Sequence, residues 1–159
     1  MADSRITIQK LKPEDIGAVA KRIRAIDREE IYLASLLDPE RAIKVSVANA
    51  EYAYTVRYDD EVALVFGINR RSLLCDVFAP WMLGTDIVDS HPILFTRDSL
   101  VFIKRLVANY PMQENWVLEK NVAAVAWLKW LGFDMDPPAP HGACRANFIR
   151  FHKGMNDVL

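Results

Sequence analysis

The stretch from Glu114 to Phe133, ENWVLEKNVAAVAWLKWLGF, constrains the fold more than any other part of the 159-residue chain. Trp116, Val117 and Leu118 read as a short apolar strand core. Asn121 is a good helix N-cap, and Val122 to Leu131 reads as one helix with Lys129 as its only charge. Gly132, just past the last apolar turn, can take the left-handed conformation that ends a helix, and Phe133 can then fold back onto it. A helix apolar nearly all round is expected to be buried on most sides. The stretch is therefore a core element, and the helix start at Asn121 is a first candidate ligand site.

The rest of the chain reads as one domain built around that unit. Ile6 to Gln9 alternates as a strand, and Pro13-Glu14-Asp15 starts a helix. Ile16, Val19, Ile23 and Ile26 give that helix one apolar face. Asp27 and Glu30 have capping-box spacing, so further helices are expected over about Arg28–Leu37 and, after Asp38-Pro39, over about Pro39–Ala50. Tyr52 to Tyr58 and Val62 to Ile68 flank the turn pair Asp59-Asp60 and predict an antiparallel hairpin whose second strand is central. Leu73 to Phe78 is expected as a third strand after an Arg70-Arg71-Ser72 turn. Pro80 to Phe95 predicts a strand end followed by an irregular connection. Thr96 is expected to cap a helix that runs to Pro111. Asp136 to Gly142, with three prolines, predicts loop, and Ala146 to His152 a closing strand. The order implies an α/β (α+β) mixed sheet of about six to seven strands. It has one right-handed β-α-β crossover and helices on both faces.

Composition narrows the function classes. Twenty basic against 21 acidic residues give a net charge of -1, which offers no basic excess for nucleic acid or an anionic membrane surface. No apolar run approaches the roughly 18 residues of a membrane span, and the N-terminus lacks a secretory apolar core, so a cytoplasmic protein is expected. Cys75 and Cys144 form no CxxC pair and are expected as small buried apolar residues. His91, His141 and His152 have no metal-ligand spacing, and no metal is expected. His91, beside Pro92, is the histidine best placed near a ligand loop. Ser90, His91 and Asp89 are too close in sequence to converge on one reacting atom.

The element order, with Asn121-x-x-Ala124-x-x-x-Leu128-x-x-x-Gly132-Phe133, resembles the GNAT superfamily of N-acetyltransferases. Asn115-Trp116-Val117, Asn121 and Leu128-Lys129-Trp130-Leu131-Gly132 also resemble phage-encoded members of the internal virion protein A type, found in podophages. The resemblance implies a sheet splayed in the middle, acetyl-CoA as cofactor, and a phosphate-binding loop after the fourth strand. Its candidate cofactor-binding residues here are Leu83, Gly84, Arg97 and Asn121. Trp81, Met82 and Leu83 are the expected lining of the splayed gap, where relatives admit the pantetheine arm.

Two departures from the family pattern set this chain apart. The loop over Leu83 to Arg97 has Gly84 as its single glycine, and Asp86 and Asp89 repel phosphate. The position of the tyrosine that usually protonates the departing thiolate is Leu128, which has no proton to give. Tyr54 and Tyr110 are substitutes without positional support, and the catalytic residues stay unassigned. Asp27, Glu29 and Glu30 fall where some relatives place an acceptor amine or a general base, although a capping box also accounts for them. The first expectation is therefore a GNAT-fold phage protein with a virion morphogenesis or other phage-specific protein-interaction role and degenerate acetyl transfer. Its location would be the host cell cytoplasm or the virion, and its partners a phage or host protein or a second copy in a homo-oligomer. The alternatives are an acetyl-CoA-dependent N-acetyltransferase acting on an amine or protein lysine, and a non-catalytic small-molecule binding module.

Overall fold

The computed structural model describes residues 5–92 and 100–154. The elements run β1 (Ile6–Lys10), α1 (Pro13–Lys21), α2 (Ala25–Ser35), α3 (Pro39–Ala48), β2 (Ala50–Tyr58), β3 (Glu61–Ser72) and β4 (Cys75–Gly84). Then come α4 (Asp86–Ser90), α5 (Leu100–Val107), β5 (Gln113–Leu118), α6 (Val122–Trp130), β6 (Asp134–Met135), β7 (Ala139–His141) and β8 (Ala146–Lys153). They form an eight-stranded sheet in the order β1-β2-β3-β4-β5-β8-β6, with β7 also paired to β8. All pairings are antiparallel except β4 with β5, which is parallel. The fold is the mixed sheet expected from sequence.

Two apolar clusters cover the two sheet faces. On one, Ile16 and Val19 of α1 and Ile43 of α3 pack against Val62 and Val65 of β3. On the other, Leu64 and Phe66 meet Ile87, Val88, Ile103, Val107 and Leu131 from α4, α5 and the end of α6. β3 is buried from Val62 through Ile68, as befits a central strand. A register shift between Val56 and Arg57 lets β3 carry one extra residue against β2, which is why Val62 and Leu64 join opposite clusters. The β2–β3 turn places both Asp59 and Asp60 at positive φ, the twist that a two-residue hairpin requires.

Several elements depart from expectation for identifiable reasons. The single apolar face of Ile16, Val19, Ile23 and Ile26 is split, because α1 ends at Lys21 and Ile23 bridges to Thr85 before α2 begins. Arg70 to Ser72 belong to β3, and the turn falls at Leu73-Leu74, whose side chains are 93% and 97% exposed. The strand after it runs through Pro80 to Gly84. Phe78 N–H donates to Met112 across the sheet and Gly84 N–H leaves β3 altogether, so Pro80, at the same alternation, lacks its N–H on a side where no ladder forms. Asp136 to Gly142 contains β7, with Pro140 on a sheet edge. Cys75 is half-buried and Cys144 exposed, each in or beside a turn rather than in the core. Thr96 lies outside the described residues.

The unit at Glu114–Phe133 has the expected ends. Asn121 Oδ1 accepts from Ala124 N–H at 3.4 Å. Gly132 has φ +92, its N–H donates to Lys129 O, and Phe133 N–H donates to Leu128 O, which completes a Schellman cap. Burial is the exception: no residue of α6 is fully buried, Val122 is 73% exposed and Trp130 47% exposed. The helix covers one flank of the sheet and leaves its other side to solvent, where Lys104 lies over the Trp130 ring.

Candidate functional site

β4 and β5 pair at one point only. Phe78 pairs with Gln113, and beyond it the strands diverge. Asn115 Nδ2 spans the gap to Pro80 O at 2.9 Å, where no backbone ladder exists. The divergence opens a cavity of about 310 Å³, with Trp81, Met82, Trp116, Trp127 and Leu128 in its lining. By strand alternation the N–H and C=O of Met82 point into the gap, as do the C=O of Pro80 and the N–H of Gly84. Gly67 makes room beneath it: a Cβ there would lie 2.6 Å from the Trp81 ring, whose Nε1 donates to Asn69 Oδ1 at 2.8 Å.

α2 lies across the open end of this gap. Asp27 Oδ2 accepts from Gly84 N–H at 2.9 Å, at the end of β4. One turn further on, Glu30 Oε2 accepts from Leu118 N–H at 3.0 Å, at the end of β5. Asn121 Nδ2 donates to both carboxylates, at 3.4 Å to Asp27 and 3.2 Å to Glu30. The helix start is not a capping box: Arg24 is the N-cap residue with no side-chain cap bond, and Asp27 and Glu30 serve the sheet instead. The far end of α2 is held too, since Ala143 and Cys144 N–H donate to Ala34 O and Leu33 O. Gly142, at φ +78, allows that approach, because a Cβ would come within 2.8 Å of Ala34 Cα.

The two carboxyls differ electrostatically. Burial raises the pKa of Asp27, but Gly84 N–H, Arg24 and Asn121 oppose the shift. Arg24 Nη1 lies 3.7 Å from Asp27 Oδ1. Burial pushes Glu30 from its usual 4.5 up to about 7, against the hydrogen bonds from Leu118 and Asn121, with the Asp27 charge adding to the rise. Glu30 Oε1 accepts no hydrogen bond among the described residues. One oxygen is thus anchored twice and the other is free to exchange a proton.

Leu83, Gly84 and Asn121 all line this cavity, together with Asp27, Glu30 and Leu128. Arg97 lies outside the described residues. His91 is elsewhere, its Nδ1 3.2 Å from Ile87 O and its ring 4.3 Å from that of Tyr58. His141, which sequence left without a role, stacks on Trp116 at 4.0 Å and 8° in the cavity lining, and burial lowers its pKa. Of the tyrosines, Tyr52 lines the cavity; burial raises its pKa, which makes it a poor proton donor. Among the described residues no group of three His, Cys, Asp or Glu is arranged to hold a metal ion, and no helix is long and apolar enough to cross a membrane.

The sequence matches no protein-family model and no curated protein. Its structure is similar to those of acetyltransferases. The ribosomal-protein-S5-alanine acetyltransferase from Vibrio fischeri superposes with a TM-score of 0.63 at 13% identity, over 99% of this chain and 97% of that one. The ribosomal L7/L12 alpha-N-protein acetyltransferase RimL, in complex with coenzyme A, gives 0.64 at 8% identity over 96% of each chain. A GNAT-family acetyltransferase from Streptococcus pneumoniae gives 0.60 at 11% identity, over 93% and 98%. The chain therefore has the GNAT acetyltransferase fold.

Coenzyme A joins a neutral amide arm to a phosphorylated nucleotide, and the two halves fit differently here. The open backbone of Met82 and the apolar walls suit the arm. The turn after β4 does not suit a diphosphate. Gly84 N–H is taken by Asp27, Thr85 N–H by Ala63 O at 2.9 Å, Asp86 N–H by Arg22 O at 3.2 Å and Ile87 N–H by Thr85 Oγ1 at 3.3 Å. Its two described arginines are also engaged, Arg22 by Asp86 and Glu61, Arg24 by Asp27 and Asp89.

Proposed function

We propose that this protein is an N-acyltransferase that moves an acyl group from a thioester lying along β4 to a primary amine. The observation that carries the reading is Glu30. It is a carboxyl held inside the β4–β5 gap by Leu118 N–H and Asn121, titrating at about 7, with Oε1 free. A base of that pKa is matched to taking a proton from an ammonium near neutral pH. Once the amine nitrogen is neutral it forms the C–N bond, the C–S bond breaks, and the nitrogen loses its second proton to solvent as the amide forms. The proton held by Glu30 is then available to the departing sulfur, a step for which Leu128 offers nothing. Trp81, Trp127 and Leu128 give the reacting groups apolar walls. An amine or protein lysine is the acceptor class. The test is thiol release from acyl thioesters across a panel of polyamines and lysine peptides. The expected wild-type rate profile rises through about pH 7, whereas a flat profile or no turnover rejects the reading.

A second reading is favoured by Leu128 and by the bonded turn at Gly84–Ile87: a phage protein of the same fold that works by binding in the host cytoplasm or the virion. In that reading its role is virion morphogenesis or another phage-specific protein interaction, and the gap is a small-molecule site or vestige. Recovery of the chain from assembled particles, with no thiol release on any amine, is its expected result.

A further inference from the structure

The turn after β4 is the place where an acyl donor's phosphates would need help, and its chemistry is already used internally. Four successive N–H groups, from Gly84 to Ile87, donate to acceptors within the protein. The acceptor for the first is itself an anion, Asp27, 4% exposed and fixed by Asn121 and Arg24 as well. Among the described residues, which leave out Arg97, Asp27, Asp86, Asp89 and Glu61 stand around the turn against the two guanidiniums of Arg22 and Arg24, each of which contacts two of those carboxylates. A phosphate arriving there would break bonds to make bonds and would add negative charge to a site with a negative excess. The helix that follows, α4, spans Asp86–Ser90, too short to build up a strong N-terminal field. The gap itself shows the opposite character. It offers open strand backbone at Met82 to a chain of amides and apolar walls to methylene groups.

We infer that the β4–β5 gap recognises the phosphate-free amide-and-thioester arm of its acyl donor, pantetheine chemistry, and gains nothing from the diphosphate and nucleotide of coenzyme A. The inference rests on the reading of the gap as a thioester site, but it concerns binding and not turnover. The arm is the same whether it comes free, on a nucleotide or on a carrier, so the comparison is between probes that share it.

Calorimetry on the full chain with pantetheine, coenzyme A and adenosine 3′,5′-bisphosphate tests it. Pantetheine and coenzyme A are expected to bind within about threefold of each other, the bisphosphate alone to give no heat, and coenzyme A affinity to hold from about 50 to 500 mM salt. Coenzyme A binding more than about tenfold tighter than pantetheine, which is about 1.4 kcal/mol from phosphate contacts, overturns the inference, as does a steep loss with salt. Failure of both to bind overturns it as well. Equal binding without thiol release leaves it standing and sinks the transferase reading. Tighter coenzyme A binding with turnover does the reverse. Asp89→Asn, which removes a charge beside Arg24 outside the gap lining, is expected to raise coenzyme A affinity while leaving pantetheine unchanged, and an unchanged ratio counts against the inference.

Discussion

The ends of β4 and β5 are docked in the same manner on one helix and still behave differently. At β4, a carboxylate of α2 accepts the last strand N–H and has an arginine beside it; at β5, a carboxylate one turn along accepts the corresponding N–H and has none. At Asp27 the Gly84 N–H, the guanidinium and Asn121 all work against the burial that raises its pKa. At Glu30, with no guanidinium in ion-pair contact, burial carries the pKa up to about 7 and its proton becomes mobile near neutral pH. A strand end tied through an ion-paired carboxylate and a strand end tied through a carboxyl that titrates near neutral pH together make a cleft with one braced wall and one chemically responsive wall.

The largest effect expected from disturbing this pair is at Glu30. Glu30→Gln keeps an acceptor for Leu118 N–H but removes the base, and acyl transfer should fall by about 10²- to 10⁴-fold in kcat with little change in KM. Stability should move the other way. With a folded pKa raised from 4.5 to about 7, the native state holds more protons than the unfolded state across that window. Wild-type stability therefore falls as pH rises through it, reaching a penalty of the order of 3 kcal/mol above about pH 7. Urea titrations at intervals of pH should show this slope in the wild type and a flat response in the variant. A slope that survives the substitution assigns the proton to another group.

Asp27→Ala attacks the fixed side. It strips the partner from Gly84 N–H and leaves Arg24, whose side chain is 10% exposed, facing only Asp89, so a loss of about 3–5 kcal/mol in urea denaturation is expected. A loss below about 1 kcal/mol would mean that the β4 end is no more rigid than the other. Gly67→Ala disturbs the floor between them. The added Cβ collides with the Trp81 ring, and an overpacking cost of about 1–3 kcal/mol should appear with weakened ligand binding.

What sequence reveals here follows from how local each signal is. The cap at Asn121 and the stop at Gly132-Phe133 are set by residues within one helix, and they could be read directly. Pro80 was a misleading signal because a proline excludes a strand only where a ladder needs its N–H, and the divergence of β5 is not visible from β4. The carboxylates of α2 have the spacing of a capping box, and Asp-x-x-Glu looks the same whether the acceptors serve their own helix or a distant strand. The true donors, Gly84 and Leu118, lie 57 and 88 residues further along the chain. Counting from Asn121 marks Leu128 only as the position of the family's tyrosine; Leu128 lines the gap, and the carboxyl proposed for proton chemistry comes from another helix.

Asn121 is where the two walls are coupled, and it gives the smallest effect and the sharpest separation. Its Oδ1 caps α6 while its Nδ2 reaches both carboxylates. Asn121→Ala should cost about 1 kcal/mol from the cap alone, and Asn121→Ser, which can still accept from Ala124 N–H, a few tenths. Neither side chain can donate across to Glu30 as the amide does. Because that hydrogen bond favours the charged form of Glu30, its loss raises the Glu30 pKa further, and the rising limb of the rate profile should move to higher pH in both variants. Asn121→Ser therefore separates capping from coupling: stability close to wild type with a displaced limb supports the coupled pair. A limb that stays in place in both variants shows that the two strand ends act independently.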